Sequence, residues 1–336
     1  MSRSSSPAST ESIESSTSTL SSRPLRVGVV GVGYLGRIHA KIYARMADVE
    51  LVGVVDPDTG AMENVAKECG CAAYASARDL YGKVDAVSIV TPTVCHVDVA
   101  RPFVEQGVHL MMEKPIAPTE EESLQLVQMV EKQGVLMQVG HLERYNAGVM
   151  ALAGRVQSPR FIEVHRLGVF VNRATDVDVV TDLMIHDIDI AMSLVGDRIE
   201  NIAATGLSVL TDHVDIASAR LEFSNGAVAN VTASRVSNKQ LRRIRVFEHD
   251  HYYGLNYIDQ QLEIVRADPD SDRDNPRIIT EKIQIEPKPP LDAELEDFVS
   301  NVRHDKAPMV DGRVGLEALE VAQRVKQEIA ASLKRY

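Results

Sequence analysis

The sequence predicts an α/β protein: a doubly wound, parallel-sheet domain followed by an α+β domain built on a large, mostly antiparallel sheet. Three observations predict it. Apolar strand-like runs alternate with helix-like segments from Arg26 to about residue 148. A Gly31-x-Gly33-x-x-Gly36 turn stands at the head of that region, between an apolar run and a helix-like segment. From about residue 150 the texture changes to alternating runs, two of them joined by Asn225-Gly226, a hairpin signal. The expected organisation is a disordered tail over 1–23, a first domain over 24–148 and a second over 149–336.

The elements follow in order. Eleven of the first 22 residues are Ser and three are Thr, so this segment buries too little apolar surface to offset the entropy of ordering. Leu25–Val30 is a strand, 37–47 a helix, and the run ending at Val55 a second strand closed by Asp56. A helix over 61–69, a short strand over 72–74 and a helical turn over 77–81 come next. A buried strand over 84–90 leads through Thr91-Pro92 into a helix over 94–105 that Gly107 ends. His109–Met112 is a strand running into Glu113-Lys114-Pro115. Thr119 and Glu122 have the spacing of a capping box, and 135–139 is the last strand of this region. In such sheets ligands bind at the carboxyl ends of the strands. Thr91-Pro92, Glu113-Lys114-Pro115 and Gly140-His141 all fall there.

Beyond residue 150 a strand over 161–171 precedes one long helix over 177–195. Strands over 201–210, 214–223, 227–236, 241–247, 251–258 and 261–265 form the antiparallel sheet, 268–276 is a polar loop, and helices over 291–302 and 316–333 close the chain. Helices on one face of this sheet leave the other to be covered. Ala217, Ala219, Val228 and Val231 suit contact with a second copy, giving a homodimer or homotetramer.

Composition narrows the function. The net charge of −12 argues against general binding to nucleic acid or an anionic membrane. No apolar run reaches the ~18 residues of a membrane span. Three cysteines, Cys69, Cys71 and Cys95, make a poor disulfide framework and suit the cytoplasm. Cys69-Gly70-Cys71 lacks the second pair of a zinc site, and His249-Asp250-His251 lacks an evident third ligand, so no metal is expected.

The glycine turn carries the first chemistry. Gly31 permits the tight turn, Gly33 lets backbone approach a pyrophosphate, and Gly36 lets helix and strand pack closely; Tyr34 and Leu35 lie between them. The helix start offers unpaired N–H groups and a positive dipole end. Asp56, 20 positions after Gly36, can accept from both ribose hydroxyls and would repel a 2′-phosphate. This Rossmann fingerprint therefore points to NAD rather than NADP. On the long helix Asp182 and His186 are i and i+4, so a carboxylate can orient the imidazole; Asp189 could do so from the next turn. Lys114, at the end of a strand, could stabilise a developing alkoxide while His186 takes the hydroxyl proton.

Gly31-x-Gly33-x-x-Gly36, Glu113-Lys114-Pro115 and Asp182-x-x-x-His186-x-x-Asp189 together resemble the glucose–fructose oxidoreductase and inositol dehydrogenase family, Gfo/Idh/MocA. That resemblance implies Lys114, Asp182 and His186 as the catalytic set. It also implies Thr91, Pro92, His96, Glu113 and Lys114 beside the cofactor, and frequent dimers or tetramers. Gly140 to Asn146, Val177 to Ile190 and the 212–236 region resemble members that oxidise UDP-N-acetylglucosamine at C3. A nucleotide sugar needs cations for its diphosphate. Arg144, Tyr145, His165, Arg166 and Arg173, with Asp182 and His186, are the expected substrate residues, and Arg235, Lys239, Arg242, Arg243 and Arg245 form a basic run. Two other readings stand beside this one: a dehydrogenase of a free polyol or sugar, and a non-catalytic NAD-binding regulator.

Overall fold

The computed structural model describes residues 23–171, 177–272 and 274–334. Two sheets organise the chain. The first holds six parallel strands, β1 (Leu25–Val30), β2 (Val49–Val55), β3 (Ala72–Tyr74), β4 (Ala86–Ile89), β5 (His109–Met112) and β6 (Met137–Val139), in the order β3-β2-β1-β4-β5-β6. Helices α1 (Tyr34–Arg45), α2 (Thr59–Cys69), α3 (His96–Glu105) and α4 (Glu120–Gln133) connect them. This is the doubly wound order whose crevice lies where the strand sequence reverses, between β1 and β4. Strands β1 and β4 are buried on both faces, and their near-continuous apolar sequences follow from that.

After a short α5 (Ala147–Ala153) the second sheet begins. Its eight strands are β7 (Phe161–Leu167), β8 (Ile199–Leu207), β9 (Ile216–Phe223), β10 (Val228–Ser234), β11 (Leu241–Phe247), β12 (His251–Asn256), β13 (Gln261–Ala267) and β14 (Ile278–Gln284). The order is β14-β13-β12-β11-β7-β10-β9-β8, antiparallel except for β10 beside β7. One face is covered by α6 (Ile185–Val195) and α8 (Gly312–Leu333).

Four expectations change. The helix expected over 177–195 opens with a π-helical turn, Val180–Met184, before α6. Strand β14 was missed; it is an edge strand whose side chains are mostly exposed, so its apolar pattern is weak. Ala217, Ala219 and Val231 are 0–2% exposed and belong to the inner core against the helices, not to a free face. Val228 is half-buried. At Thr119 the hydroxyl accepts from the Glu122 N–H and donates to the Glu122 carboxylate, in place of a reciprocal bond to the Thr119 backbone. Apart from Arg23, which pairs with Asp85, the Ser-rich tail lies outside the described residues.

The last two helices return to the first sheet. Leu295, Phe298 and Val299 of α7 (Pro290–His304) pack with Leu25, Val27 and Tyr43. Helix α8 places Leu316 in the core of the first sheet and Val325 and Ile329 in that of the second. Among the described residues, no helix is long and apolar enough to cross a membrane.

Candidate active site

The glycine turn has the expected geometry. Gly31 has φ +88°, and a Cβ there would sit 2.5 Å from the Val90 carbonyl oxygen. A Cβ on Gly36 would lie 1.8 Å from the Gly31 oxygen. A Cβ on Gly33 would meet nothing within 4 Å, so open space lies before the α1 N-terminus, whose cap makes no side-chain hydrogen bond. Asp56 does more than face a ribose. Its Oδ2 accepts from the Val32 N–H at 2.7 Å and its Oδ1 from the Asp58 N–H at 2.9 Å, pinning the turn to the end of β2. These residues fit a dinucleotide: a cradle free of side chains, a helix N-terminus and an acid at the next strand end.

A cleft of ≈ 490 Å³ continues from the turn along Tyr34, Leu35, Thr91, His96, Glu113 and Lys114. His96 is 1% exposed and spans the cleft floor. Its Nε2 lies 2.9 Å from the Thr91 carbonyl oxygen and its Nδ1 3.0 Å from that of Pro115. It therefore ties the loop after β4 to the loop after β5. Pro92 begins the short helical turn between them, and the Lys114–Pro115 bond is cis. Glu113 lies 3.3 Å from His39 Nε2. Burial would raise its carboxyl, but His39 and the Lys114 charge outweigh it and hold it below the usual range.

Lys114 crosses between the domains. Its ammonium donates to the Asp182 carbonyl at 3.0 Å and approaches that of Thr181 at 3.5 Å. Both carbonyls belong to the π turn, a distortion that frees backbone acceptors and recurs at functional sites. Burial lowers the ammonium's proton affinity, while Asp182 and Glu113 partly restore it. His186, in the first turn of α6, is half-buried with Nδ1 sealed from solvent and unpartnered. Burial, then the charges of Lys114, Arg166, His141 and Arg242, push its imidazole well below the usual range, so it is neutral at pH 7. The site thus holds an ammonium beside a neutral imidazole, one from each domain.

The structure does not use the carboxylates as expected. Among the described residues Asp182 makes no hydrogen bond to His186; the π turn breaks the i, i+4 alignment. Asp189 faces His141 and Arg144, at 3.6 and 3.8 Å, rather than His186. His141, which the sequence placed at a ligand-binding strand end without giving it a role, lies 1% exposed with its ring 6.1 Å from that of His186, edge to face. Its signal was available: it follows β6 directly, at the ligand-binding edge of the sheet.

Of the expected substrate residues, few face the crevice. Arg166 is 4% exposed, grips Asp187 through two bonds of 2.7 and 2.8 Å, and reaches Glu143 at 2.7 Å. Its guanidinium is thus largely spent on buried carboxylates. Tyr145 donates to Asp297 on α7 and is buried as a strut. Arg144 turns toward Asp189 and a cleft behind α6. His165 follows Glu163 on the outer face of β7, opposite Arg166, because side chains alternate along a strand. Arg173 lies outside the described residues. In the basic run, Arg235 and Arg242 line a pocket of ≈ 350 Å³ with Asp182. Arg243 and Arg245 point to the outer face, toward Tyr252 and Glu163, and Lys239 is exposed. Around His251 the third potential ligand is Glu248, grouped with Asp250; His249 is not part of that cluster. One Glu248 oxygen already accepts from the Gln157 and Ser158 N–H groups.

Comparison with known proteins agrees with this architecture. Residues 25–141 match the model of an oxidoreductase family with an NAD-binding Rossmann fold, and residues 149–250 match the GFO/IDH/MocA C-terminal domain. The chain is 36% identical over 313 residues to a UDP-N-acetylglucosamine 3-dehydrogenase of Acidithiobacillus ferrooxidans, covering 93% of this chain and 99% of that protein. A solved structure of the enzyme of that name from the same organism superposes with a TM-score of 0.86, at 35% identity, over 91% of this chain and 98% of the other. An inositol 2-dehydrogenase of Rhizobium meliloti is 26% identical, over 91% of this chain and 97% of its own length.

Proposed function

Because the chain belongs to the GFO/IDH/MocA oxidoreductase family, with its NAD-binding Rossmann fold, we propose that this NAD-dependent dehydrogenase oxidises C3 of UDP-N-acetylglucosamine to the 3-keto sugar. The observation that carries the reading is the meeting of Lys114 from the first domain with the His186 turn of the second. The bound dinucleotide supplies the hydride acceptor. Lys114 steadies the developing alkoxide with its positive charge, held in place between the domains. His186 takes the hydroxyl proton. Asp182 serves through its backbone carbonyl, which holds Lys114 in place. Gly31, Gly33, Tyr34, Leu35, Gly36 and Asp56 would hold the dinucleotide's phosphates and ribose, and Thr91, Pro92, His96 and Glu113 would lie toward its nicotinamide end.

Arg242, 41% exposed at its side chain in the pocket beside Asp182, supports a diphosphate-bearing substrate over a free polyol. The test is NADH formation, followed by absorbance, across nucleotide sugars and free polyols. Turnover of UDP-N-acetylglucosamine well above inositol or glucose is expected; turnover of polyols alone would overturn the substrate assignment. Binding of NAD without turnover of any alcohol would favour a regulator.

We assign residues 24–148 to cofactor binding and 149–336 to substrate binding and self-association, the second part lending α7 and the start of α8 to the first. Free Cys69, Cys71 and Cys95 support a cytoplasmic setting. Association uses the outer face of the second sheet, where Phe161, Phe247 and Tyr252 pack at ring distances of 5.7 and 5.1 Å. Light scattering at micromolar protein is expected to give a dimer or tetramer mass; a monomer mass would remove this surface from consideration.

A further inference from the structure

We propose that His141 and Asp189 carry the proton collected by His186 out of the crevice, along the seam between the two domains, to a cleft behind α6. The inference rests on the dehydrogenase reading above. Each turnover leaves one proton on His186, and alcohol and dinucleotide would occupy the crevice it faces. A second way out starts at the sealed nitrogen of the base.

The path is a row of polar atoms that otherwise have no reason to be buried. Among the described residues His186 Nδ1, His141 Nδ1, Asp189 Oδ2 and Arg144 Nη1 are all sealed from solvent and without a hydrogen-bond partner. They are consecutive in space: the two imidazoles meet edge to face at 6.1 Å, His141 Nδ1 lies 3.6 Å from Asp189 Oδ2, and Arg144 Nη1 lies 3.8 Å from Asp189 Oδ1. The gaps at Asp189, 3.6 and 3.8 Å, are slightly beyond hydrogen-bond length, as is usual before a catalytic complex tightens. Asp189 and Arg144 then line a cleft of ≈ 630 Å³ whose rim carries the exposed Ser193, Glu317 and Glu320.

The step is a proton hop throughout, with no electron transferred. The Nδ1–H bond of His186 breaks as an N–H bond forms on His141. The Nδ1–H bond of His141 breaks as an O–H bond forms on Asp189, and Asp189 releases the proton to water in the cleft. His141 is faced by Lys114 and Glu113 from the end of β5, by Arg144 from its own turn, and by Asp189 from α6. Burial holds His141 below its ordinary range and Asp189 above its own, which brings the two proton affinities together.

Asp189→Asn and His141→Gln test this, since both nearly preserve volume. The full chain is mixed rapidly with NAD and the alcohol that the wild type turns over, and NADH absorbance and proton release to an indicator dye are read together. The first turnover should run at the wild-type rate, because His186 starts neutral. Later turnovers should slow by at least about tenfold, giving a burst of one NADH per site with proton release lagging behind it. Equal slowing of first and later turnovers would reduce the pair to a structural role. Unchanged later turnovers would route the proton through the crevice mouth. A readout independent of turnover is the ¹⁵N spectrum of the imidazoles: His141 should show an Nδ1 proton held against a carboxylate, lost in Asp189→Asn, and its absence from the wild type would overturn the relay. A wild type inert toward every alcohol, with that proton present, would instead sink the dehydrogenase reading.

Discussion

His186→Gln is expected to leave a folded protein that binds NADH as wild type does but oxidises its alcohol about 10²–10⁴-fold more slowly, the usual worth of a positioned base. The side chain is similar in size, while the group that accepts the hydroxyl proton is gone. Titration of NADH fluorescence and steady-state absorbance separate the two properties. Turnover within a fewfold of wild type would remove His186 from the chemistry. The pH profile of the unaltered enzyme carries the same claim. Burial and the charges of Lys114 and Arg166 depress the imidazole below its ordinary 6.5, so the base stays neutral as pH falls past that value. Log kcat/KM should therefore remain level through pH 6.5 and bend only below it. Stability follows the same sign. The unfolded chain takes up the proton first, so the contribution of neutral His186 is present above pH 6.5 and is lost as pH falls toward the depressed folded value.

Arg166→Met is expected to give the largest loss of stability. The guanidinium is 4% exposed and holds Asp187 through two short bonds, with Glu143 on its remaining side. Burial opposes its charge, and Asp187 and Glu143 outweigh that cost. Methionine fills much of the volume but strands Asp187, which is fully buried. Breaking one side of such a pair costs about 3–5 kcal/mol. At roughly 2–4 °C per kcal/mol for a domain of this size, the melting midpoint should fall by about 6–20 °C. Replacing Asp187 by Leu in the same chain should recover much of the loss, because the stranded charge is then absent. Circular dichroism melts of the single and double variants decide it; a single variant that melts with wild type would show the pair to be idle.

The first domain was legible because its signals are local. Three glycines with three separate duties and an acid at the next strand end need no knowledge of the rest of the chain. The second domain was less legible because side-chain direction depends on parity and on packing. His165 and Arg166 are neighbours on one strand and must face opposite ways, so they could not both have met the substrate. Arg144 and Arg166 look like anion ligands in sequence, yet buried Asp189, Asp187 and Glu143 engage them. Those carboxylates lie 21 to 45 positions away from their arginines, and spacing alone does not pair them. The π turn has no sequence signature either, which is why Asp182 was given to His186 as a side-chain partner and emerged as a backbone clamp on Lys114.

Helix α8 has a consequence for how the enzyme discriminates. Its 22 residues make a rod about 33 Å long, rooted at one end among the apolar side chains of the first sheet and at the other among those of the second. Prising the lobes apart would pull Leu316 or Ile329 into water, so the spacing between ammonium and imidazole is inherited from folding rather than assembled by each arriving sugar. An enzyme braced in this way selects by fit to a preset gauge, and an alcohol of the wrong girth is refused before any bond is strained.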